Sequence, residues 1–147
     1  KEVYPTLLLL EFQKRKEMKI FDNNSNLLAI IIREEEIHDG KNFFTENESE
    51  FQIASFSLDG QTTIERHHHP NQNREITGTS EVLIVIKGKM EFEIYDKNLE
   101  LVTTEIIGSG EAVALISGGH GIKILEDTKF FEVKQGPYIE KIDKKRF

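Results

Sequence analysis

VLIVIKGKMEFEIY, residues 82–95, is the stretch that decides the fold class of this chain. Its first five residues are all valine, isoleucine or leucine, which is typical of a buried strand. From Met90 onward, apolar side chains alternate with more polar ones, which is the period-two pattern of a half-buried strand. Gly88 lies between two lysines and predicts a short hairpin link between these strands. The stretch therefore predicts an all-β protein.

Turn residues divide the rest of the sequence into further short runs, some apolar and some alternating. Together with the central stretch they predict about nine strands at intervals of roughly ten residues, with no convincing helix after residue 50. That spacing is typical of an antiparallel sandwich or barrel. The predicted strands are 27–32, 50–58, 62–69, 82–86, 90–95, 101–107, 111–116, 120–125 and 129–134.

The chain has 147 residues, which is enough for one domain and too few for two ordinary ones. We expect a barrel domain over residues 18–147 and an N-terminal extension over residues 1–17. Residues 6–18 have the only helix-like pattern. The extension is open to several interpretations: a helix, an arm that swaps onto a partner, a weakly ordered surface segment or a vector-derived remnant.

Charge and composition exclude several classes of function. The chain has 19 Lys and Arg residues against 26 Asp and Glu, a net charge of −7, which disfavours binding to nucleic-acid phosphates. Because it has no cysteine, disulfides, thiolate metal sites and a cysteine nucleophile are excluded. No apolar run approaches the roughly 18 residues of a membrane span, and no secretory signal is visible. We therefore expect a soluble, cytoplasmic protein.

Histidines at two places in the sequence are suited to metal binding. In the triplet His67-His68-His69, alternation along a strand puts His67 and His69 on one face, where they can bind a single ion. His120 lies among glycines that allow a tight turn at the start of a strand. Three histidine ligands leave coordination positions open, as in catalytic metal sites.

Glu81 is the fourth candidate ligand. With the three histidines it would complete a set suited to divalent iron, manganese, nickel, cobalt or zinc. It could instead accept a hydrogen bond from a ligand histidine and orient the ring.

These positions resemble the two signature motifs of the cupin superfamily over residues 50–135 or thereabouts. The resemblance is carried by His67-x-His69, by Glu81 with six residues before Gly88, and by Gly110 ten residues before His120. Two departures stand out. Eleven residues separate His69 from Glu81, where the family usually has three or four, and Ile116 stands where a proline is usual.

The stretch FEVKQGPY, residues 131–138, is similar to the ending of small stand-alone cupins encoded among polysaccharide and nucleotide-sugar biosynthesis genes. The resemblance implies an antiparallel jelly-roll β-barrel and a divalent transition metal held by His67, His69, Glu81 and His120. It also implies a small-molecule ligand such as a sugar or nucleotide sugar. By analogy with the family we expect a homodimer.

Three further charged residues are candidates for the site besides Glu81. Arg74 lies in the long loop after the histidine triplet, where an arginine can bind a carboxylate or phosphate, or can simply form a surface ion pair. Glu132 and Lys134 share one face of the last predicted strand. If that face turns inward, they can serve a cavity as acid, base or anchor; if outward, they are ordinary surface charges.

Three functions remain open at this point. A metal-dependent enzyme would perform isomerase, epimerase or dioxygenase chemistry on a small molecule. A metal-free isomerase or epimerase would use a histidine as general base, with a tyrosine or carboxylate as partner. A non-catalytic module would bind metal or ligand without turnover.

Overall fold

The computed structural model describes residues 19–147 and is built from antiparallel strands. Of these residues 43% are in strands and 5% in helices, so the prediction of an all-β fold is confirmed. The strands are β1 (Lys19–Phe21), β2 (Leu27–Ile32), β3 (Gly40–Phe43), β4 (Ala54–Ser57), β5 (Glu81–Lys87), β6 (Lys89–Tyr95), β7 (Leu101–Gly108), β8 (Ala112–Leu115), β9 (Gly119–Ile124) and β10 (Lys129–Lys134). A 3-10 turn spans Glu34–Glu36, and the one-turn helix α1 spans Glu140–Asp143.

The strands form three sheets. Sheet A has the order β1-β2-β8-β5-β10, sheet B is the pair β3-β4, and sheet C has the order β7-β6-β9. Among the described residues each sheet is open, and none closes on itself as a barrel. The same residues include no helix with the length and apolar character needed to cross a membrane.

Sheets A and C share one hydrophobic core. Every second residue of β6, namely Met90, Phe92 and Ile94, is at most 1% exposed, which confirms the alternation in the sequence. These side chains pack with apolar residues of sheet A in a single cluster, which gives a sandwich of two sheets. The cluster consists of Ile20, Leu28, Ala29, Ile31, Leu83, Val85, Met90, Phe92, Ile94, Ile107, Val113 and Leu115.

The other face of sheet A is also covered. Ile30, Ile32 and Val82 point to that face and pack with Phe44, which follows β3. Strand β2 is therefore buried on both faces, which explains why residues 27–32 read as a continuous apolar run without alternation.

The predicted hairpin at residues 82–95 is wrong, although both strands are present. β5 pairs with β8 and β10 in sheet A, whereas β6 pairs with β7 and β9 in sheet C. The link at Gly88 is a corner that carries the chain from one sheet to the other. Gly88 has a φ of +92°, and an added Cβ would lie 2.5 Å from the Asp127 carbonyl oxygen, so only glycine fits this corner.

The predicted strand 62–69 is also wrong. Residues 58–80, which we call the histidine segment, contain no strand, and Gly60 to Thr79 are all exposed. The alternating sequence there has no neighbouring strand to pair with, and pairing decides whether an extended segment becomes a strand. Two short strands, β1 and β3, were not predicted. The predicted helix at 6–18 and the extension 1–17 lie outside the described residues.

A candidate site in a polar cavity beside His120

A cavity of about 480 Å³ lies where several strands end. Because neighbouring strands are antiparallel, the start of β5 lies beside the ends of β8 and β10, and the start of β9 lies beside the end of β6. The residues that line the cavity are Thr79, Glu81, Glu93, Tyr95, Leu115, Ser117, Gly118, Gly119, His120, Gly121 and the segment Asp143 to Phe147.

Strand register brings Glu81 and His120 toward the same interior. Glu81 lies on the face of β5 that carries the core residues Leu83 and Val85. His120 is opposite Ile94, another core residue, and residues paired across antiparallel strands share a face. Both side chains therefore lie at the end of the core, where apolar packing gives way to the cavity.

The turn before β9 fixes the position of His120. Ser117 is held against β2, since its hydroxyl donates to the Leu27 carbonyl oxygen at 2.7 Å. Gly118 follows with a φ of +76°, and an added Cβ would overlap the Tyr95 carbonyl oxygen. Only glycine allows β9 to approach β6 this closely.

Glu81 and His120 form the central pair of the cavity. The His120 Nε2 atom lies 3.5 Å from Glu81 Oε2, and the two side chains are 32% and 8% exposed. This distance is long for a hydrogen bond, so a small movement on ligand binding would be needed to close it.

Lys134 compensates the buried charge of Glu81. Its Nζ lies 3.6 Å from Glu81 Oε1, 3.6 Å from Glu132 Oε1 and 2.9 Å from Asp143 Oδ2. The ammonium also lies 4.9 Å from the centre of the Tyr138 ring. Lys134 thus joins the floor of the cavity to helix α1.

Burial and nearby charges act on the pKa of His120 in opposite directions. Desolvation lowers the pKa and is the largest effect, while the carboxylate of Glu81 raises it. Lys144 and Lys134 lower it further, and the net result is a pKa below the ordinary value of 6.5. His120 is therefore predominantly neutral at pH 7, as a general base must be.

A tyrosine–carboxylate pair lies on another wall of the cavity. Tyr95 Oη donates a hydrogen bond of 2.9 Å to Glu93 Oε2. That hydrogen bond is the main reason why the pKa of Tyr95 is raised above 10.0, with burial second. The Phe147 ring packs edge-on against Tyr95, with 5.1 Å between ring centroids, and also lies over Gly119.

His67 and His69 lie apart from this cavity, on the exposed histidine segment. Their ring centroids are 5.3 Å apart, so the two histidines are neighbours even though the strand that was predicted to align them is absent. Among residues 19–147, however, no three histidine or carboxylate side chains are close enough to hold one ion. The set of His67, His69, Glu81 and His120 is thus divided into two pairs in this conformation, and we derive no chemical step through a metal.

The other candidate residues have mixed positions. Arg74 is exposed and its closest polar contact is a 3.4 Å hydrogen bond to Gln72 Oε1, so it does not line the cavity. Lys134 points inward, as one of the two alternatives for β10 required, and Glu132 is beside it with 36% of its side chain exposed.

The residues at the end of α1 and after it were not predicted to be part of the site. Asp143 and the four residues after it form one side of the cavity, and Tyr95 with Glu93 forms another. The charged run Lys144-Lys145-Arg146 was visible in the sequence but had no apolar periodicity that would place it against the β domain.

No family model, curated protein or solved structure matches this chain. The resemblance to cupins therefore remains a prediction.

Proposed function

We propose that the cavity binds a small polar molecule and that His120 exchanges a proton with it, as in an isomerase or epimerase. The observation that supports this proposal is the Glu81–His120 pair, 3.5 Å apart inside a cavity of about 480 Å³. That volume falls within the range of about 300–1,000 Å³ typical of small-molecule sites. A buried carboxylate beside a half-buried histidine is a recurrent arrangement for general acid–base catalysis.

The roles of the two residues follow from their atoms. Glu81 faces Nε2, so a proton on Nε2 points at the carboxylate and leaves the Nδ1 lone pair free. His120 can then remove a proton from a carbon next to a carbonyl group, and the electron pair of that C–H bond moves toward the carbonyl oxygen. Glu81 stabilises the resulting imidazolium. Return of the proton to the former carbonyl carbon, while the hydroxyl proton of the first carbon passes to the former carbonyl oxygen, gives the isomer. Return to the first carbon of a proton from water on its other face gives the epimer.

Lys134 supports this arrangement without touching the reacting atoms. Its contact with Glu81 holds the carboxylate in place, and its contact with Asp143 keeps α1 beside the cavity. We regard Lys134 as a positioning residue.

The test is exchange of carbon-bound hydrogen for solvent deuterium. A panel of aldoses, hydroxyketones and hydroxy acids, free and phosphorylated, is incubated with the protein in heavy water and analysed by mass spectrometry. We expect mass gain with the wild-type protein, loss of that gain in His120→Asn and Glu81→Gln, and wild-type gain in His38→Asn, which alters an exposed histidine that does not line the cavity. Equal exchange by the wild type and His120→Asn would contradict the proposal, and binding without exchange would favour a non-catalytic module.

A second candidate is the metal-binding function implied by the cupin resemblance, including metal-dependent isomerase or dioxygenase chemistry. One contact favours it: His67 Nδ1 lies 2.8 Å from the Glu65 carbonyl oxygen, which can only accept, so the proton is on Nδ1 and Nε2 is free for a metal. The histidine segment ends at the cavity through Thr79, so its movement could bring the two pairs together.

Metal content separates this candidate from the first. If one ion bridges the two pairs, His67→Ala with His69→Ala and, separately, His120→Ala each remove stoichiometric metal measured by mass spectrometry. A protein that retains its metal in both variants binds it elsewhere.

The jelly-roll cupin fold, the homodimer and a sugar or nucleotide-sugar ligand also remain proposals. The face-to-face packing of sheets A and C supports the first of these, since a jelly roll is a double sheet. Sedimentation analysis would test the second.

A further inference from the structure

Three consecutive cations line one side of the cavity. We call Lys144, Lys145 and Arg146 the cationic rim; all three line the cavity and are exposed. Among the described residues, none of the three has a carboxylate within ion-pair distance. The chain as a whole has a net charge of −7, so a group of three cations without such partners is unusual for it.

The carboxylates of the same cavity already have partners. Glu81 and Asp143 both contact Lys134, at 3.6 Å and 2.9 Å. Glu93 accepts the hydrogen bond from Tyr95 Oη. The lining thus contains three carboxylates and three cations, but none of these carboxylates lies within ion-pair distance of a rim cation. The positive charges are grouped at the rim, and such a group attracts a ligand of the opposite sign.

The rim is held in place at both ends. On one side Asp143 is bound to Lys134, and its backbone N–H donates to the Ile139 carbonyl oxygen at 2.9 Å. On the other side Phe147 packs against Tyr95 and over Gly119. Anchors on both sides limit how far the three cations can move from the cavity. Their backbone therefore loses little conformational freedom when they bind a ligand.

We propose that the cationic rim binds the phosphate group of the ligand, so that the cavity takes a phosphorylated small molecule whose uncharged part reaches Glu81 and His120. A phosphate carries close to two negative charges and three acceptor oxygens, which suits two ammonium groups and a guanidinium better than a single carboxylate does. The ligand class deepens the proposed function and rests on it for the position of the reacting carbon.

Phosphate binding is measured without turnover. The probe is inorganic phosphate, titrated into the ¹⁵N-labelled wild-type protein while amide resonances are followed by NMR. We expect saturable shifts at residues 119–121 and 143–147, and none in the β3–β4 hairpin on the opposite side of sheet A. Because this arm uses only the wild-type protein, it does not depend on the folding of any variant.

Variants then test the rim itself. Replacing Lys144, Lys145 and Arg146 together by Ala should weaken phosphate binding at least about tenfold, since each charged hydrogen bond is worth more than a neutral one. The matched control replaces Lys87, Lys123 and Lys129, which are exposed and do not line the cavity, and removes the same charge. Its affinity should remain within about twofold of the wild type, as expected of charges screened by salt.

Two results would overturn the phosphate site: no saturable binding by the wild type, or equal weakening by the rim variant and its control. The deuterium-exchange screen distinguishes this failure from failure of the proposed function. Exchange found only with unphosphorylated carbonyl compounds would keep the acid–base role of His120 and remove the phosphate anchor. Phosphate bound at the rim, with no exchange in any compound, would keep the phosphate site and contradict the acid–base role of His120.

Discussion

Substitution of Gly118 tests whether the turn before His120 requires glycine. A left-handed backbone costs a residue with a Cβ about 1–2 kcal/mol. At Gly118, with a φ of +76°, the added Cβ also overlaps the Tyr95 carbonyl oxygen and comes within 3.2 Å of Leu28 Cδ2. Forcing an atom into a packed region costs a further 1–3 kcal/mol or so. We therefore expect Gly118→Ala to lower the free energy of unfolding by about 2–5 kcal/mol.

Gly110→Ala is the matched control because it isolates the backbone contribution. Gly110 has a φ of +82°, but nothing lies within 4 Å of an added Cβ. Its cost should be only the conformational one, about 1–2 kcal/mol. For a protein of this size each kcal/mol shifts the melting temperature by roughly 2–4 °C, so the two variants should melt several degrees apart. Urea and thermal denaturation followed by circular dichroism measure both, and equal destabilisation would refute the close approach of β9 to β6.

Three further predictions concern the core, the pH dependence and Lys134. Phe92→Ala, at a fully buried position, should cost about 3–5 kcal/mol in urea denaturation, whereas Phe56→Ala, at a position 51% exposed, should cost under about 0.5 kcal/mol. Because the pKa of His120 is lowered in the folded state, the unfolded chain binds the proton first, so the free energy of unfolding should fall as the pH drops below 6.5. His120→Asn should flatten this part of the pH profile, and an unchanged slope would contradict the burial of a neutral imidazole. Lys134→Met should lower the melting temperature more than Lys89→Met, which breaks one exposed ion pair with Glu126, because Lys134 contacts three carboxylates.

The sequence predicted the strands best where apolar periodicity reflects burial. The bounds of β2 and β10 coincide with the predicted runs, and β6, β7, β8 and β9 differ from them by one or two residues. Pairing between strands was not predictable in the same way, because the pattern of a strand is the same whichever neighbour it has. The corner at Gly88 shows this, since a glycine between two strands fits a hairpin and a change of sheet equally well.

Whether the candidate residues meet in the structure depends on whether they lie on strands. Glu81 and His120 were identified as candidate ligands through their match to the cupin motifs. The structure places both near the start of a strand and brings their side chains together at the end of the core. The histidine segment and the cationic rim lack regular structure, so nothing in their sequence periodicity says what they contact. The sequence left open whether the Lys134 side chain points inward or outward. It points inward because Lys134 is opposite Glu81 in the pairing of β10 with β5.

The position of the cavity follows from the antiparallel order of the strands. The shared core ends where β5 begins and β8 ends, with the end of β10 beside them, and in the facing sheet where β6 ends beside the start of β9. Side chains just beyond the last core layer still point inward but no longer have apolar neighbours, so charged groups can be placed there if they compensate one another. Glu81, His120 and Lys134 meet that condition among themselves, whereas the cationic rim does not. Within residues 19–147 the rim cations have no ion-pair partner, and an anionic ligand bound there would supply one.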